Sequence, residues 1–469
     1  MRVIVLPKHG EEETIKLELP SLEQYTSRAY ATVSLASLLF VLGIIFAREE
    51  SATLLSLSLL LLLLLSASNI FMKAEALALR KLIVEREAPE IAIEGRELKV
   101  TTVIRNPTIV PLEYAEVVLN YPTTFKLVKG SPKAVLTIPP KSEIRLTYTL
   151  FPRIGVHTFP PVRITIRDFL GFFRSTTDVG MPFQIKIYPK PVSIVGFRGS
   201  YSAKPAGLSR AKRKGYGIEF YGVREYVPGD EYKWIEWKAS ARFGGQRFFV
   251  KEFEHEVSLN IFLILDLRSP AFTGSWGNTA AEYVARAALA IANYSLRKGD
   301  SVGLVYIGDR ESRILPLERG VRGLMSITKE LARIEWPKTH EVTGLNYSYL
   351  ASVLRKNLPR YLPRERNVLV IFSTLHYGEG LGEFIDVLKE LQARNNIVFM
   401  IVPMIEFFEA TTLKGIQAAI YRIRAIRAIE DKQKTINTLL RNGIATVTVG
   451  PHDIVDVAIR KLETIRAVM

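Results

Sequence analysis

"SLNIFLILDL", residues 258–267, carries five consecutive apolar side chains, Ile261 to Leu265. A strand with one wet face alternates apolar and polar residues, whereas an unbroken run belongs in a parallel sheet covered on both faces. The downstream sequence fits that setting. "AAEYVARAALAIANYSLRKGD" (280–300) has helical periodicity and stops at Gly299, and "SVGLVYIG" (301–308) reads as the next strand. Helical stretches near 320–334, 346–357 and 453–467 are interleaved with the strands "NVLVIFS", "NIVFMIVP" and "ATVTVG". Strands alternating with helices predict a doubly wound α/β domain over 258–469 with a parallel sheet. The stretch 409–441 reads as a mostly helical segment whose basic face is solvated.

Upstream, over 73–190, the period changes to two. In "EIRLTYTL" (143–150), Ile144, Leu146, Tyr148 and Leu150 fall on one face, with Arg145 and two threonines on the other. Several such runs, each stopped by Pro, Gly or Asn, predict an antiparallel β-sandwich. His157 stands alone in it and reads as structural.

Nearer the start, residues 29–47 and 51–72 contain no charge. Each reaches roughly 30 Å as a helix, the thickness of a bilayer's hydrocarbon core. Arg48, Glu49 and Glu50 alone separate them, so they predict a transmembrane helical hairpin over 29–72, preceded by an N-terminal segment, 1–28. Lys16, Arg28, Lys73, Arg80 and Lys81 flank its outer ends, against Arg48 in the loop. That bias predicts a multi-pass protein of the cell membrane with its soluble domains in the cytoplasm.

The net charge of +16 favours anionic partners without choosing among membrane, nucleic acid and acidic protein. With no cysteine in 469 residues, thiol nucleophiles, disulfides and cysteine-ligated metals are excluded. There is no phosphate-binding GxxxxGK[ST], no HExxH, no GxGxxG after a strand and no GxSxG. The six histidines, at 9, 157, 255, 340, 376 and 452, show no metal-ligand spacing. The expectation is a chain that is not an enzyme and carries no cofactor.

Between the two domains, the connector 191–257 holds "REYVPGDEYKWIEWKASAR" (224–242). Pro228-Gly229 makes a turn, Asp230 is placed to cap a following helix, and Trp234, Trp237 and Ala241 share one side at helical spacing. Lys238 and Arg242 form the neighbouring row. Acidic residues alternate with the basic ones, so the stretch reads chiefly as a brace between the β-module and the α/β domain, with partner docking on an exposed part of its rim as the alternative. Trp237→Ala is then expected to cost roughly 3–5 kcal/mol if its ring is buried. "RAKRKGYG" (210–217) is basic and unneutralised; Arg210, Lys212, Arg213 and Lys214 are the candidate anion contacts.

The stretch 224–242, with "FFVKEFE" after it, closely resembles the hallmark of the domain-of-unknown-function 58 family. Arg224, Tyr226, Pro228, Gly229, Asp230, Trp237, Lys238 and Arg242 are among the matching positions. "PRIGVHTFPPVRITIRDFLGFFR" (152–174) resembles the end of that family's β-module, with Ile154 where an arginine usually precedes the glycine. The resemblance implies a von Willebrand factor A-like domain behind a membrane hairpin and a β-domain, acting with a MoxR-type AAA+ ATPase in assembly or maturation of other proteins. It supplies no catalytic residue.

Such A-like domains commonly hold a divalent ion through Asp-x-Ser-x-Ser, a threonine and a later aspartate. Here Asp266 is present, but Arg268 and Pro270 stand at the serine positions; Thr343 matches the threonine and Thr374 takes the aspartate's place. An octahedral shell of hard oxygens cannot be built from that set, so the implied metal site is degenerate. The expected function is a non-enzymatic, membrane-anchored adaptor that docks protein partners, the ATPase among them. The alternative is a membrane-tethered nucleic-acid or anionic-polymer binder using 210–217 and the helix near 422–434.

Overall fold

The structure, a computed structural model, describes residues 24–45, 50–191, 214–242, 247–254, 258–337, 346–375, 378–404, 415–450 and 453–468. The chain divides into two compact units: 1–153 with 157–185, and 154–156 with 186–469.

The first unit opens with a short strand β1 (Gln24–Tyr25) and two apolar helices, α1 (Ser27–Ile45) and α2 (Glu50–Leu79). Ala29, Ala36 and Gly43, seven residues apart in α1, are buried. Small residues at that spacing let two helix backbones approach. A Cβ on Gly43 would stand 2.9 Å from Leu55 Cγ, and Ser58 Oγ donates to the Ala36 carbonyl at 2.8 Å. The outward side is apolar too: Leu38, Ile44, Leu59, Leu63 and Phe71 are all more than half exposed. Both helices are long and apolar enough to cross a membrane.

The β-rich part comprises β2 (Ile83–Glu87), β3 (Ile91–Ile93), β4 (Leu98–Asn106), β5 (Leu112–Val118), β6 (Lys126–Lys129) and β7 (Lys133–Ile138). Its remaining strands are β8 (Ser142–Phe151), β9 (Gly155–Phe159), β10 (Val162–Arg167), β11 (Phe173–Val179) and β12 (Phe183–Tyr188). They form a four-stranded sheet β2-β4-β8-β6, a five-stranded sheet β1-β11-β10-β5-β7 and a three-stranded sheet β3-β12-β9. In β8, Tyr148 and Leu150 are buried while Glu143, Arg145 and Thr147 are exposed, the alternation that period two dictates. His157 is fully occupied by structure. Its Nε2 lies 2.8 Å from the Arg153 carbonyl, and its Nδ1 lies 2.9 Å from Thr124 Oγ1.

In the second unit, β13 (Lys214–Glu225) and β14 (Phe249–Glu254) form an antiparallel ribbon with helix α3 (Trp237–Arg242) between them. The α/β part comprises β15 (Asn260–Asp266), α4 (Ala280–Arg297), β16 (Ser301–Ile307), β17 (Ser312–Arg319), α5 (Gly320–Leu331) and α6 (Tyr347–Lys356). It continues through β18 (Asn367–Phe372), α7 (Leu381–Ala393), β19 (Ile397–Pro403), α8 (Gly415–Arg441), β20 (Ala445–Val449) and α9 (Ile454–Val468).

The sheet order is β17-β16-β15-β18-β19-β20. Alternate residues of β15 enter different cores. Ile261, Leu263 and Leu265 pack with Ala285, Ala288 and Ile291 of α4 and with Ile459 and Leu462 of α9. Phe262 and Ile264 pack with Leu350 and Leu354 of α6 and with Phe384 and Leu388 of α7. Helices therefore cover both faces, which is why this strand needs no polar position between Ile261 and Leu265.

Two features depart from the sequence expectation. The sheet is not wholly parallel: β17, which the periodicity did not reveal, runs antiparallel to β16 at the edge. Val302 pairs with Glu318 and Leu304 with Leu315, so the extra residues around Pro316 are taken up in a bulge, where a residue without an N–H is tolerated. The basic helix is not uniformly solvated either. Lys432 is 2% exposed, within the buried side of α8.

Candidate functional site

Between β15 and β18 the strand order reverses, and successive connections leave the sheet on opposite faces. The crevice outside the strand ends at such a switch point is where open α/β sheets bind ligands. Asp266 ends β15, and Ser373 follows β18 directly. The Arg268 guanidinium faces the carboxylate in a forked pair, Nε to Oδ1 at 2.6 Å and Nη2 to Oδ2 at 2.8 Å. Ser373 Oγ donates to the same Oδ2 at 2.8 Å, and Arg268 Nη1 donates to the Asn346 carbonyl at 2.7 Å. The ring of Tyr347 lies 5.9 Å from the guanidinium carbon.

Both charged side chains are interior, at 5% and 2% exposure. Burial opposes the guanidinium's charge, but its hydrogen bonds to Asp266 and the charge on that group prevail, so its pKa rises further. Burial, aided by Asp266, pushes the Tyr347 hydroxyl well above its ordinary value. The cation at this carboxylate is thus part of the chain.

The hydroxyl that reaches Asp266 belongs to Ser373, one residue before Thr374, which is itself buried. Sequence matching selected Thr374 because it takes the later aspartate's place; nothing in the strand pattern separates the two hydroxyls. Leu375 then adopts a left-handed φ of 44°, with its N–H on Ser373 Oγ at 3.3 Å. Thr343 lies outside the described residues. Among those described, no group of three or more His, Cys, Asp or Glu is placed to hold a metal.

The 224–242 stretch differs from its expected form. Asp230 N–H donates to Val227 O at 3.1 Å across Pro228-Gly229, and Gly229 has φ of +112°. This is a turn that needs positive φ at its third position. Asp230 does not cap a helix. Its carboxylate accepts from Val227 N–H at 2.9 Å and from both Nη atoms of Arg224, at 2.6 and 2.5 Å. Those bonds hold Asp230 below the usual carboxylate range. The latch is therefore complete above the unfolded-chain value and is lost as pH falls through the lowered folded one. Ala at Gly229 is expected to cost about 1–3 kcal/mol through backbone strain, since no atom crowds a Cβ there; chemical denaturation of the variant measures it.

After the turn comes one 3-10 turn, Tyr232–Trp234, then Ile235 bridging to Val250, and only then α3. Trp234, Trp237 and Ala241 consequently do not share one helix. Ile235 and Val250 are buried at 5% each, and buried Ser240 ties helix to ribbon. Its Oγ donates to the Glu236 carbonyl and accepts from Phe249 N–H, both at 2.9 Å. A small polar residue between two alanines gave no prior signal of that role.

Trp237 is 62% exposed, edge-on to Phe248, and so is not the buried anchor of a brace. Trp237→Ala should change stability by no more than about 0.5 kcal/mol, in contrast to the 3–5 expected of a buried ring. A melting curve decides between them. Tyr232, Val227 and Phe248 are exposed as well, and Tyr226 stacks on Tyr232 at 6.0 Å. Lys238 and Arg242 are exposed beside them. Of the candidate anion contacts, Arg210, Lys212 and Arg213 lie outside the described residues; Lys214 begins β13.

The six-stranded sheet with one antiparallel edge is a doubly wound α/β domain, with an aspartate paired to an arginine at its switch point. Residues 222–418 match the family described as "Protein of unknown function DUF58". The chain is 27% identical over 245 residues to the "Uncharacterized protein YeaD" of Bacillus subtilis (strain 168), a match covering 51% of this chain and 58% of that one. It thus spans little more than half of that relative's length. Among solved structures, the SpRpn10 VWA domain is 17% identical, covers 43% of this chain and 94% of its own, and has a TM-score of 0.25. The CARDB domain of the PF1109 protein from Pyrococcus furiosus is 15% identical, covering 23% of this chain and 92% of its own, with a TM-score of 0.17.

Proposed function

We propose that this protein is a non-enzymatic, membrane-anchored adaptor that docks a protein partner on the aromatic surface of the 224–242 stretch. One observation carries the reading: Val227, Tyr232, Trp237 and Phe248, all in the segment that joins β13 to β14, are exposed, with Trp237 edge-on to Phe248 and with Lys238 and Arg242 exposed in the same segment. Stable soluble surfaces seldom present such rings without a use, and aromatic anchors beside arginine are what interface hot spots are made of. The partner's matching patch is apolar with an acidic rim. A MoxR-type AAA+ ATPase is the partner that the family resemblance implies.

Membrane anchoring is supported by α1 and α2, whose apolar side chains face outward rather than into a core. Lipid is the solvent that satisfies such a surface. The basic flanks of the hairpin support a cytoplasmic side for the soluble units. At the switch point the Asp266–Arg268 pair closes the coordination sphere, so docking proceeds without a divalent ion.

Affinity capture of the full chain from its own cells in mild detergent, with and without ATP, tests the adaptor role. Enrichment of a AAA+ ATPase that depends on ATP is the expected outcome. Partners that disappear with nuclease or high salt instead would favour binding of a polyanion, which weakens by counterion release.

A further inference from the structure

In the first unit, β10 and β11 are joined by the turn Asp168-Phe169-Leu170-Gly171, closed by the Gly171 N–H on the Asp168 carbonyl at 3.0 Å. The central positions of a tight turn are usually held by Pro, Gly, Asn, Asp or Ser. Here they are Phe169, 77% exposed, and Leu170, 38% exposed. The turn is firmly held. Phe173 N–H donates to Asp168 Oδ1 at 2.6 Å, Thr26 Oγ1 donates to the Gly171 carbonyl at 2.6 Å, and Thr26 N–H donates to the Phe172 carbonyl at 2.9 Å.

These bonds also fix the tip against the helical hairpin. Thr26 directly precedes α1, and Ser68 of α2 donates to Asp168 Oδ2 at 2.5 Å. Ser68 lies inside the uncharged run 51–72, and Arg28 is the last charge before the run 29–47. The turn therefore stands where α1 begins, at the edge of the apolar span. Around that edge Tyr25, Tyr30, Ile70 and Phe71 are each more than half exposed, and the Tyr25 ring lies 5.9 Å from that of Tyr30. Aromatic rings at the ends of apolar helices form the belt that sits among lipid headgroups. Exposed Arg28 at the same edge suits anionic headgroups.

We propose that the β10–β11 turn is a second membrane contact: Phe169 and Leu170 lie in the headgroup region of the bilayer that α1 and α2 cross, and hold the β-rich domain against the lipid surface. This rests on the membrane reading of the hairpin. Lipid is the occupant because Thr26 and Ser68 make the tip continuous with the outward apolar surface of the two helices.

The test is depth-resolved fluorescence quenching. The chain has no cysteine, so a single introduced one takes a bimane label uniquely. Full-length Phe169→Cys is placed in nanodiscs of phosphatidylcholine and phosphatidylglycerol that carry a nitroxide either on the headgroup or near the acyl-chain end, and iodide is added to the water. Leu63→Cys, midway along the 51–72 run, reports the span. Met181→Cys, 82% exposed beyond the far end of β11, reports solvent. The label at position 169 should lose most of its emission to the headgroup nitroxide and little to iodide, while the label at 181 should respond to iodide alone. Quenching at 169 by iodide as strong as at 181 would overturn the proposal. So would shielding at 169 from iodide and both nitroxides, the pattern of a second protein copy covering the turn. In either case, quenching at 63 by the chain-end nitroxide would leave the membrane anchor standing. Loss of lipid quenching at 63 as well would end the membrane reading and this inference with it.

Discussion

Replacing Arg268 with alanine should destabilise the α/β unit by about 3–5 kcal/mol, as expected when a buried ion pair loses one member. Asp266 would stay interior, with Ser373 as its remaining described donor and the forked guanidinium gone. The size of the effect comes from that stranded charge rather than from any large net gain in forming the pair. Removing both charges, as in Asp266→Asn with Arg268→Met, should therefore recover most of the loss. Chemical denaturation of the single and double variants measures the difference. A single variant no worse than the double would mean that the pair carries no such coupling.

The second large effect lies at the opposite end of the same strand. Asp300 is fully buried; its Oδ1 accepts from Leu259 N–H at 2.8 Å and from Arg466 Nη1 at 3.0 Å, and its Oδ2 accepts from Arg466 Nη2 at 2.5 Å. It ties the start of β15 to the last turn of α9. Asp300→Ala should cost about 3 kcal/mol, the lower end of the range, because Arg466 is 17% exposed and keeps Glu463 at 3.5 Å. The melting temperature of Asp300→Ala measures it, and a shift no larger than that of a surface substitution would show the tie to be idle.

Much of the α/β architecture was legible in local pattern. The run at 261–265 demanded two covered faces, and the two cores on either side of β15 supply them. At the start of α4 the structure adds a reciprocal capping box between Thr279 and Glu282. Strand β17 was hidden because Pro316 and a half-buried edge erase the alternation that marks a strand. Nor could spacing reveal the Asp300–Arg466 tie, which joins residues far apart in the chain. The 224–242 stretch misled for a different reason. Helical spacing of Trp234, Trp237 and Ala241 is real in the sequence, but Ile235 is drawn into a bridge with Val250, and that tertiary contact breaks the helix between the two tryptophans.

At Arg268 the residue type itself carried the message. A guanidinium two positions beyond a strand-end aspartate removes an ion's ligands and also supplies the competing cation. The exposure of Trp237 carried no such signal, because it depends on the break at Ile235, which no single residue announces.

The most direct test of the adaptor account is capture with wild-type full chain and with Trp237→Ala side by side, in the presence of ATP. Partners are quantified by mass spectrometry after both proteins are shown to melt alike. The account predicts that the variant loses the AAA+ ATPase while keeping its fold. An ATPase retained equally by both proteins would contradict it.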